Sequence, residues 1–559
     1  MEVILIIAGI LLALIIKGIY DNKKYNKKLL DRAVNEYGKE PKKEITYARA
    51  EAIAYYSAHH EKSDCFVDDI TWEDTDMPRI YGRLNSCKCA IGEEYLYYLL
   101  KNPTSSLEKL EERERVITHL QKDEKSRTAL SVMLLKIGSL KNISAYEYVN
   151  RLRSVDIDSS ALHIIQALLL LASIGLIFIT PVYGTLLTIL MFFVNVITYF
   201  KRKSLIEGYF TIVFFILRLL EQAKELKKVD DPELKSYFDK ITKEADNFNK
   251  MKRNSFYLGS SSGGNPLELL FDYIKMAFHI DLIKFNMMLR EFSKHVDEFE
   301  AIFEIVGFLD CMIAVASYRK LHEDDYSVPL LKVRSGQAAL FINAKGLAHP
   351  LLNDPVTNDL ETTGPVLLTG SNASGKSTFL KTIALNAILA QSIHTVLAES
   401  YEGGMFKVMT SMALRDDIES GESYYIVEIK SLKRIIDASK TSSIPVLCFI
   451  DEVLRGTNTV ERIAASTQIL RGLGEANALC MAATHDIELT WLLEDIFDNY
   501  HFEEQILDNE IKFDYRLKTG RANSRNAISL LRIMGYSTDT VEAAVEMAQR
   551  YVDTGEWKI

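Results

Sequence analysis

The sequence predicts an α/β domain with a largely parallel sheet at the C-terminus, preceded by an all-α region that carries inserted apolar helices. Three observations predict it. From about Ala338 onward, short β-like runs alternate with helical segments, the pattern of parallel strands joined by crossover helices. Before that point the periodicity is helical, with charged stretches such as Glu221–Lys228. Inside the helical part, the forty residues Ala161–Phe200 contain no Asp, Glu, Lys or Arg.

A chain of 559 residues exceeds what one hydrophobic core usually supports, so at least two domains are expected. Hydrophobic and charged contents of 48% and 25% are ordinary globular values and exclude a largely disordered protein. The net charge of −10 gives a field that repels a phosphate backbone, leaving nucleic-acid binding to local basic patches. Six cysteines are present: Cys65, Cys87, Cys89, Cys311, Cys448 and Cys480. Only Cys87 and Cys89 are close, and no second pair or His cluster completes a tetrahedral metal site. This is reduced, cytosolic usage.

The first apolar segment, Val3–Ile16, is uncharged and can extend to Tyr20 if Lys17 snorkels. It approaches the ~20 residues a spanning helix needs. Glu2 precedes it and Lys17, Lys23, Lys24, Lys27 and Lys28 follow, the reverse of a cleaved signal peptide. The positive-inside rule places its N-terminus outside and the rest of the chain in the cytoplasm. A buried core helix is the plain alternative. Ala161–Phe200 divides at Thr180-Pro181 into two halves of spanning length. Arg151 and Arg153 lie before it and Lys201, Arg202 and Lys203 after, so both ends read as cytoplasmic. A helical hairpin, in and back out, is expected.

Elsewhere in the first half, Ile91–Leu100 is an amphipathic helix ended by Pro103. Ser105 or Ser106 would cap the next, Leu107–Gln121. Tyr95, Tyr97 and Tyr98 read as helix packing rather than a platform for bases. Gly259–Gly264 reads as a plain linker, since no Lys follows at phosphate-loop spacing. Phe308–Tyr318 is expected to be a buried helix.

The chemistry concentrates after residue 365. Gly370-Ser371-Asn372-Ala373-Ser374-Gly375-Lys376-Ser377 follows the apolar run Pro365–Leu368 and precedes a helical pattern, Thr378–Leu389. Strand, glycine-rich turn and helix N-terminus are what phosphate binding requires. Lys376 would reach the β- and γ-phosphates, and Ser377 would ligate Mg²⁺. Val446–Ile450 is a second apolar strand ending in Asp451-Glu452, placed to support Mg²⁺ and to activate water respectively. A third, Leu479–Ala483, leads to Thr484-His485-Asp486, where His485 would contact the γ-phosphate. Each alone has a bland reading, as a solvated turn or a structural histidine. Together, at three strand ends in this order, they predict an ATP site. Between the first two lies Ser420-Gly421-Glu422-Ser423-Tyr424 before a helix starting near Ile426. Such a Ser-Gly helix start is an anion site, and in ABC-type ATPases it faces the partner subunit's nucleotide. One of each per chain implies a homodimer with composite sites, Ser423 completing the partner's.

Thr369–Thr378, Asp417–Tyr424, Asp451–Thr459 and Ala483–Asp486 resemble the four motifs of the MutS family, in order. His349-Pro350-Leu351-Leu352 resembles the opening of that family's ATPase domain, and the same match puts Val356 where the family packs adenine. Gly520–Ser524 with the following helices is similar to its C-terminal helix-turn-helix dimer region. Leu84–Leu120 and Phe308–Tyr318 resemble its helical core and levers. The resemblance implies an ABC-type P-loop ATPase with ATP and Mg²⁺ as ligands, Lys376, Glu452 and His485 as catalytic residues, and DNA as a partner. It departs from the family in several places. The mismatch-recognition domain with its Phe-x-Glu wedge (no Phe-x-Glu occurs before residue 300) and the connector domain are expected to be missing, so mismatch recognition is not implied, and no clamp-sized domain is evident between the levers. Leu454 stands for a usual glycine, and Asp486 for a usual aromatic.

The expected organisation is therefore an anchor (1–20), a helical linker (21–68), the first part of the helical core (69–160), the membrane hairpin (161–200), lever and core (201–335), the ATPase domain (336–515) and the dimerisation region (516–559). Three readings of function follow: a multi-pass cell-membrane ATPase with cytoplasmic core, whose nucleotide cycle drives its levers; a membrane-tethered DNA repair or recombination factor; and a transporter. The last is weakest, because the hairpin lacks the intramembrane charges that mark a pathway. A DNA-independent ATPase acting on a membrane partner is the alternative within the first.

Overall fold

The computed structural model describes residues 2–559 except 43–45, 141, 155–158, 252–265, 333–339, 372–373, 413–423, 456, 508–509, 523–527, 529–530, 532–534 and 556–559. The chain is mixed α/β and divides into two compact units, interleaved in sequence. One comprises Met1–His60, Leu84–Tyr98 and Arg115–Lys320; the other comprises Glu61–Arg83, Leu99–Glu114 and Leu321–Ile559.

The first unit is helical. Its N-terminal helix runs Glu2–Asn35; side chains in most of the predicted anchor lie outside the described residues. Tyr56, on the helix Tyr47–Ala58, is 1% exposed. It stacks on Phe303 and meets Tyr98 and Tyr146 edge-on, with centroids 4.8–5.2 Å apart. Tyr95 and Tyr98 thus belong to an aromatic core. Phe308–Tyr318 falls within a longer helix, Val296–Leu321, of which Asp310 is fully buried. Its carboxylate accepts from the backbone N–H groups of Lys88 and Cys89, satisfying donors just ahead of the helix Ala90–Lys101.

The uncharged segment forms two antiparallel helices, Ser160–Ile177 and Pro181–Glu225, each long and apolar enough to cross a membrane. The second starts with Pro at its first position, where a missing N–H costs nothing. The turn lets the helices touch at Gly184: a Cβ there would lie 2.4 Å from the Ile177 nitrogen. Inside the pair, Thr188 donates to Ser173 at 3.2 Å and Gln166 to Thr198 at 3.2 Å. The apolar side chains face outward, among them Leu162, Leu168, Phe178, Val182, Leu186 and Ile197. The basic cluster Lys201–Lys203 does not end the second helix, which continues 22 residues beyond Lys203 to Glu225. Lys and Arg are good helix formers, so a charge boundary is not a helix boundary.

The second unit holds the sheets. Its strands are β1 (Tyr326–Ser327), β2 (Leu330–Lys332), β3 (Ile342–Leu347), β4 (Asn358–Thr362), β5 (Val366–Thr369), β6 (Val396–Leu397), β7 (Ser400–Gly404), β8 (Lys407–Ser411), β9 (Val446–Asp451), β10 (Ala478–Ala483), β11 (Asp498–His501), β12 (Glu504–Leu507), β13 (Glu510–Phe513) and β14 (Lys518–Thr519). Six form one sheet in the order β14-β11-β5-β10-β9-β8, parallel except for β14. A smaller mixed sheet has the order β2-β7-β3-β4. β9 and β10 are apolar along nearly their whole length and buried on both faces, as central parallel strands are. Val446–Ile450 are each 0% exposed, worth about 1.5–3 kcal/mol per large side chain. All six cysteines are buried.

Candidate functional site

Register brings the motifs together. In the large sheet Ala483 pairs with Leu368 on one side and with Asp451 on the other. The chain leaves β5, β10 and β9 at the same edge, and the bonding continues one residue further: Thr484 N–H donates to the Leu368 carbonyl and Glu452 N–H to that of Ala483, both at 2.9 Å. Three loops far apart in sequence thereby line one cavity of about 700 Å³ with Ser371, Gly375, Lys376, Ser377, Thr378, Asp451, Glu452 and His485 on its wall. Val356, 43% exposed, lines the same cavity. Gly370 and Ser374 lie in the loop itself, the Ser374 side chain buried. Asn372, Ala373 and Ser423, with Ser420–Gly421–Glu422, lie outside the described residues.

The glycine-rich turn is shaped for close approach. Gly375 has φ +107°, a left-handed conformation that Gly alone adopts without strain, and it starts the helix Lys376–Ser392. That helix begins two residues earlier than its sequence pattern suggests, so Lys376 is its first residue. The Lys376 ammonium donates to the carbonyls of Gly370 (2.7 Å) and Ser371 (2.9 Å) and lies 3.5 Å from His485 Nε2. Burial pulls its pKa down, against the pull of Asp451 and Glu452, to about 8.

Glu452 is held from two sides. His485 Nε2 lies 2.9 Å from one carboxylate oxygen and Arg455 Nε 2.5 Å from the other. Burial pushes the Glu452 carboxyl up, but the His485 hydrogen bond and the Arg455, His485 and Lys376 charges outweigh it, keeping the group below the usual carboxylate range. It is ionised at neutral pH and already bonded to the imidazole, the arrangement of a proton-accepting pair.

Both departures from the family motif have a visible structural role. Leu454 has φ +60°, a conformation costing about 1–2 kcal/mol for a residue with Cβ. Its side chain is 2% exposed within the core formed by Leu432, Ile450 and Leu470, which offsets that cost. Its N–H donates to Glu428 on the helix Tyr424–Thr441. Asp486 accepts two hydrogen bonds from Arg462, at 2.6 and 2.9 Å, a bidentate fork that fixes the loop carrying His485.

The cavity also has walls that the motifs did not announce. Tyr515, at φ +52°, sits over Gly375, its ring 3.2 Å from where a Cβ would be. Phe379 and Phe502 pack edge to face beneath the loop, centroids 5.7 Å apart. His349, named only as part of a domain opening, lines the cavity, and burial together with the Lys381 charge lowers its pKa to about 4. Tyr515, Phe502 and His349 reach the site through folding of distant segments, whereas Phe379 directly follows Thr378 on the helix that the glycine-rich turn starts.

The hydroxyl of Ser377 and the carboxylate of Asp451 are hard oxygen donors on one wall of this cavity, which fits Mg²⁺. Among the described residues, His119, Asp123 and Asp231 form another group with ligand atoms in reach of one another. There Asp123 caps Ser126, and Asp231 accepts from Leu234 and pairs with His119, so structural bonds account for it.

Residues 366–551 match the family model of MutS domain V. The chain is 30% identical over 284 residues to the DNA mismatch repair protein MutS of Natronomonas pharaonis, covering 48% of this chain and 32% of that protein. It is 30% identical over 249 residues to the protein of the same name from Thermus thermophilus, covering 43% and 29%. It is 32% identical over 199 residues to DNA mismatch repair protein MutS 2 of Haloarcula marismortui, covering 35% and 21%. The matched stretch is about a third or less of each relative's length. With the four motifs in order, three of them gathered at one sheet edge, and these likenesses over the same segment, residues 366–551 carry a MutS domain V.

Proposed function

We propose that the chain is a membrane-anchored ATPase with an ABC-type P-loop site, acting as a homodimer. The carrying observation is the single cavity that Lys376, Ser377, Asp451, Glu452 and His485 share. In this reading the amide groups of the glycine-rich turn and Lys376 bind the β- and γ-phosphates, and Val356 packs the base. Ser377 and Asp451 would hold Mg²⁺, which would supply charge neutralisation on the phosphates. Glu452 orients the attacking water and takes its proton, and the bonded His485 stabilises the charge that results. Lys376 and Arg455 exchange their present protein partners for phosphate oxygens. Ser423 of a second copy completes the site, and turnover drives the helical region.

Membrane attachment is supported by the outward apolar faces of Ser160–Ile177 and Pro181–Glu225. Cations lie on both sides of the uncharged segment, Arg151 and Arg153 before it and Lys201, Arg202 and Lys203 after it, which supports a cytoplasmic remainder. A DNA partner is favoured by the names of the relatives and opposed by the net charge of −10. The deciding experiment is ATP hydrolysis by full-length protein in liposomes, wild type against Glu452→Gln, with and without homoduplex and branched DNA. A fall of about 100-fold or more in kcat, with ATP still bound, is expected for the variant. Unchanged turnover would overturn the ATPase reading. Stimulation by DNA at low salt selects the DNA-linked form, and stimulation by lipid alone selects the DNA-independent one.

A further inference from the structure

At the base of the hairpin the first unit encloses a second cavity, of about 360 Å³. Its walls come from the stretch Tyr199–Phe214 of the long helix and from the helices Pro266–Ala277 and Ile280–Phe292. The location is where the uncharged segment ends. Phe200 and Tyr273, which line it, are 58% and 60% exposed, so the outward apolar face of the hairpin continues to the cavity mouth.

The lining is amphipathic in a specific way. Tyr199, Phe210, Phe214 and Tyr273 supply ring faces and edges, while Lys203, Lys275, Glu207 and Asp272 supply charge of both signs. Asp281 is already engaged, accepting from the Tyr199 hydroxyl at 2.6 Å and from Leu282 N–H at 2.9 Å. Lys275 lies 3.2 Å from Asp272. Lys203 and Glu207 are different. They stand four residues apart on one helix face, the spacing at which such pairs form. Among the described residues, however, no ion pair joins them within 4 Å; the Lys203 ammonium donates instead to the Tyr199 hydroxyl at 3.0 Å and lies over that ring. A half-buried cation with a phenol for its partner, and an exposed carboxylate one turn away, leave room for an external group carrying both charges.

We propose that this cavity binds the headgroup of a zwitterionic phospholipid. Lys203 takes the phosphate. Glu207 and the aromatic rings take the ammonium, which ring faces also attract. The acyl chains lie along the exposed hairpin. The mixed lining discriminates against a purely anionic headgroup, for which Glu207 and Asp272 are repulsive. The proposal rests on the membrane reading above.

The test uses the full-length protein purified in detergent, with native mass spectrometry and thermal-shift titration against phosphatidylethanolamine, phosphatidylglycerol and inorganic phosphate. Saturable retention of phosphatidylethanolamine is expected, weakened about tenfold in Lys203→Gln, as the loss of a charge-assisted bond implies. A surface variant, Glu207→Gln, narrows the preference over phosphatidylglycerol and guards against misfolding of the first. Equal retention in wild type and both variants overturns the proposal. So does equal binding of phosphatidylglycerol, or of inorganic phosphate in competition with lipid. Carbonate extraction of membranes from expressing cells reads the membrane anchoring separately: a chain that stays in the pellet but shows no headgroup preference sinks only the site.

Discussion

Two stretches of this molecule have nearly the same composition and opposite placement. The strand Val446–Ile450 and the helices Ser160–Ile177 and Pro181–Phe200 are all apolar and uncharged. Every residue of the strand stretch is 0% exposed, whereas Leu162, Val182 and Phe193 on the helices and Phe178 and Ile179 in the turn between them are between 59% and 86% exposed. Hydropathy thus says that a segment leaves water, and length with flanking residues says where it goes. Five residues followed by Asp451-Glu452 fit a sheet centre. Forty residues flanked by arginine and lysine fit a bilayer. The polar groups invert in the same way: in the sheet unit they converge on a cavity at strand ends, and in the hairpin they hide between the helices.

The largest effect should come from removing the charge at the point of convergence. Lys376→Met keeps the stem that fills a 4% exposed position and deletes the ammonium. Turnover should drop by about 10³-fold or more, with carbonate-resistant membrane association intact. Loss of both together would show the two regions to be energetically inseparable and break the comparison.

The converse variant is Gly184→Leu. The new side chain meets the backbone of Leu176 and Ile177, which cannot rotate away as a side chain would. Overpacking of this kind costs about 1–3 kcal/mol or more. Protease protection of the hairpin in liposomes should fall, while detergent-solubilised ATP turnover stays at the wild-type level.

What was legible from residues alone follows the same division. Local patterns carried the glycine-rich turn, the two acidic residues after β9, the His485 loop and the uncharged hairpin, because each is contiguous and each motif's neighbours in sequence are its neighbours in space. Ser106 does bond Lys109 N–H at 3.4 Å as a helix cap. Partnerships across the chain were not legible. Nothing near Asp486 points to Arg462, nothing near Leu454 points to Glu428, and Tyr515 reaches the cavity from a turn more than a hundred residues after Gly375. The assignment of Glu61–Arg83 and Leu99–Glu114 to the sheet unit depends on such pairs as Asp74 with Thr410, at 2.7 Å, and the burial of Asp74 gives no local signal. The helix Pro181–Glu225 runs through the expected hairpin bound at Phe200, because lysine and arginine are good helix formers.

Titration sharpens the comparison, since the converging groups are the ones whose protons matter. The free-site pKa of Lys376 is about 8, and bound phosphates must raise it. Below about pH 8 the ammonium is charged before and after binding, and the affinity for ATP is flat. Above it, binding must take up a proton. The Kd should therefore rise, roughly 25-fold between pH 7.5 and 9.5, in equilibrium binding of a non-hydrolysable ATP analogue, which leaves the Glu452 charge beside Lys376 in place. Stability moves the other way. A lysine whose folded pKa is depressed penalises the folded state while charged, so the nucleotide-free protein gains stability as pH climbs through about 8 towards the ordinary lysine value. Affinity and melting temperature rising together would contradict the assignment. The hairpin residues Ala161–Phe200 carry no lysine or acid to respond over that range.

The smallest effect distinguishes positioning from contact. Asp486 touches Arg462 by two hydrogen bonds and is separated from the cavity's reacting end by His485. Losing the fork should let the imidazole wander from Glu452, and small misplacements of that kind lower the rate without changing what binds. Asp486→Ala should reduce kcat by roughly tenfold with KM unchanged, Asp486→Asn by less because it retains one acceptor. If Asp486 instead served only to stabilise the loop, the melting temperature would fall and kcat would not. If it touched nucleotide, KM would move first. Arg462 and Asp486 act through one fork, so Arg462→Ala should add little to the loss already caused by Asp486→Ala. That non-additivity is the signature of one coupled pair, and it ties the divergence of this chain from its relatives to the same edge of the sheet where the cavity is built.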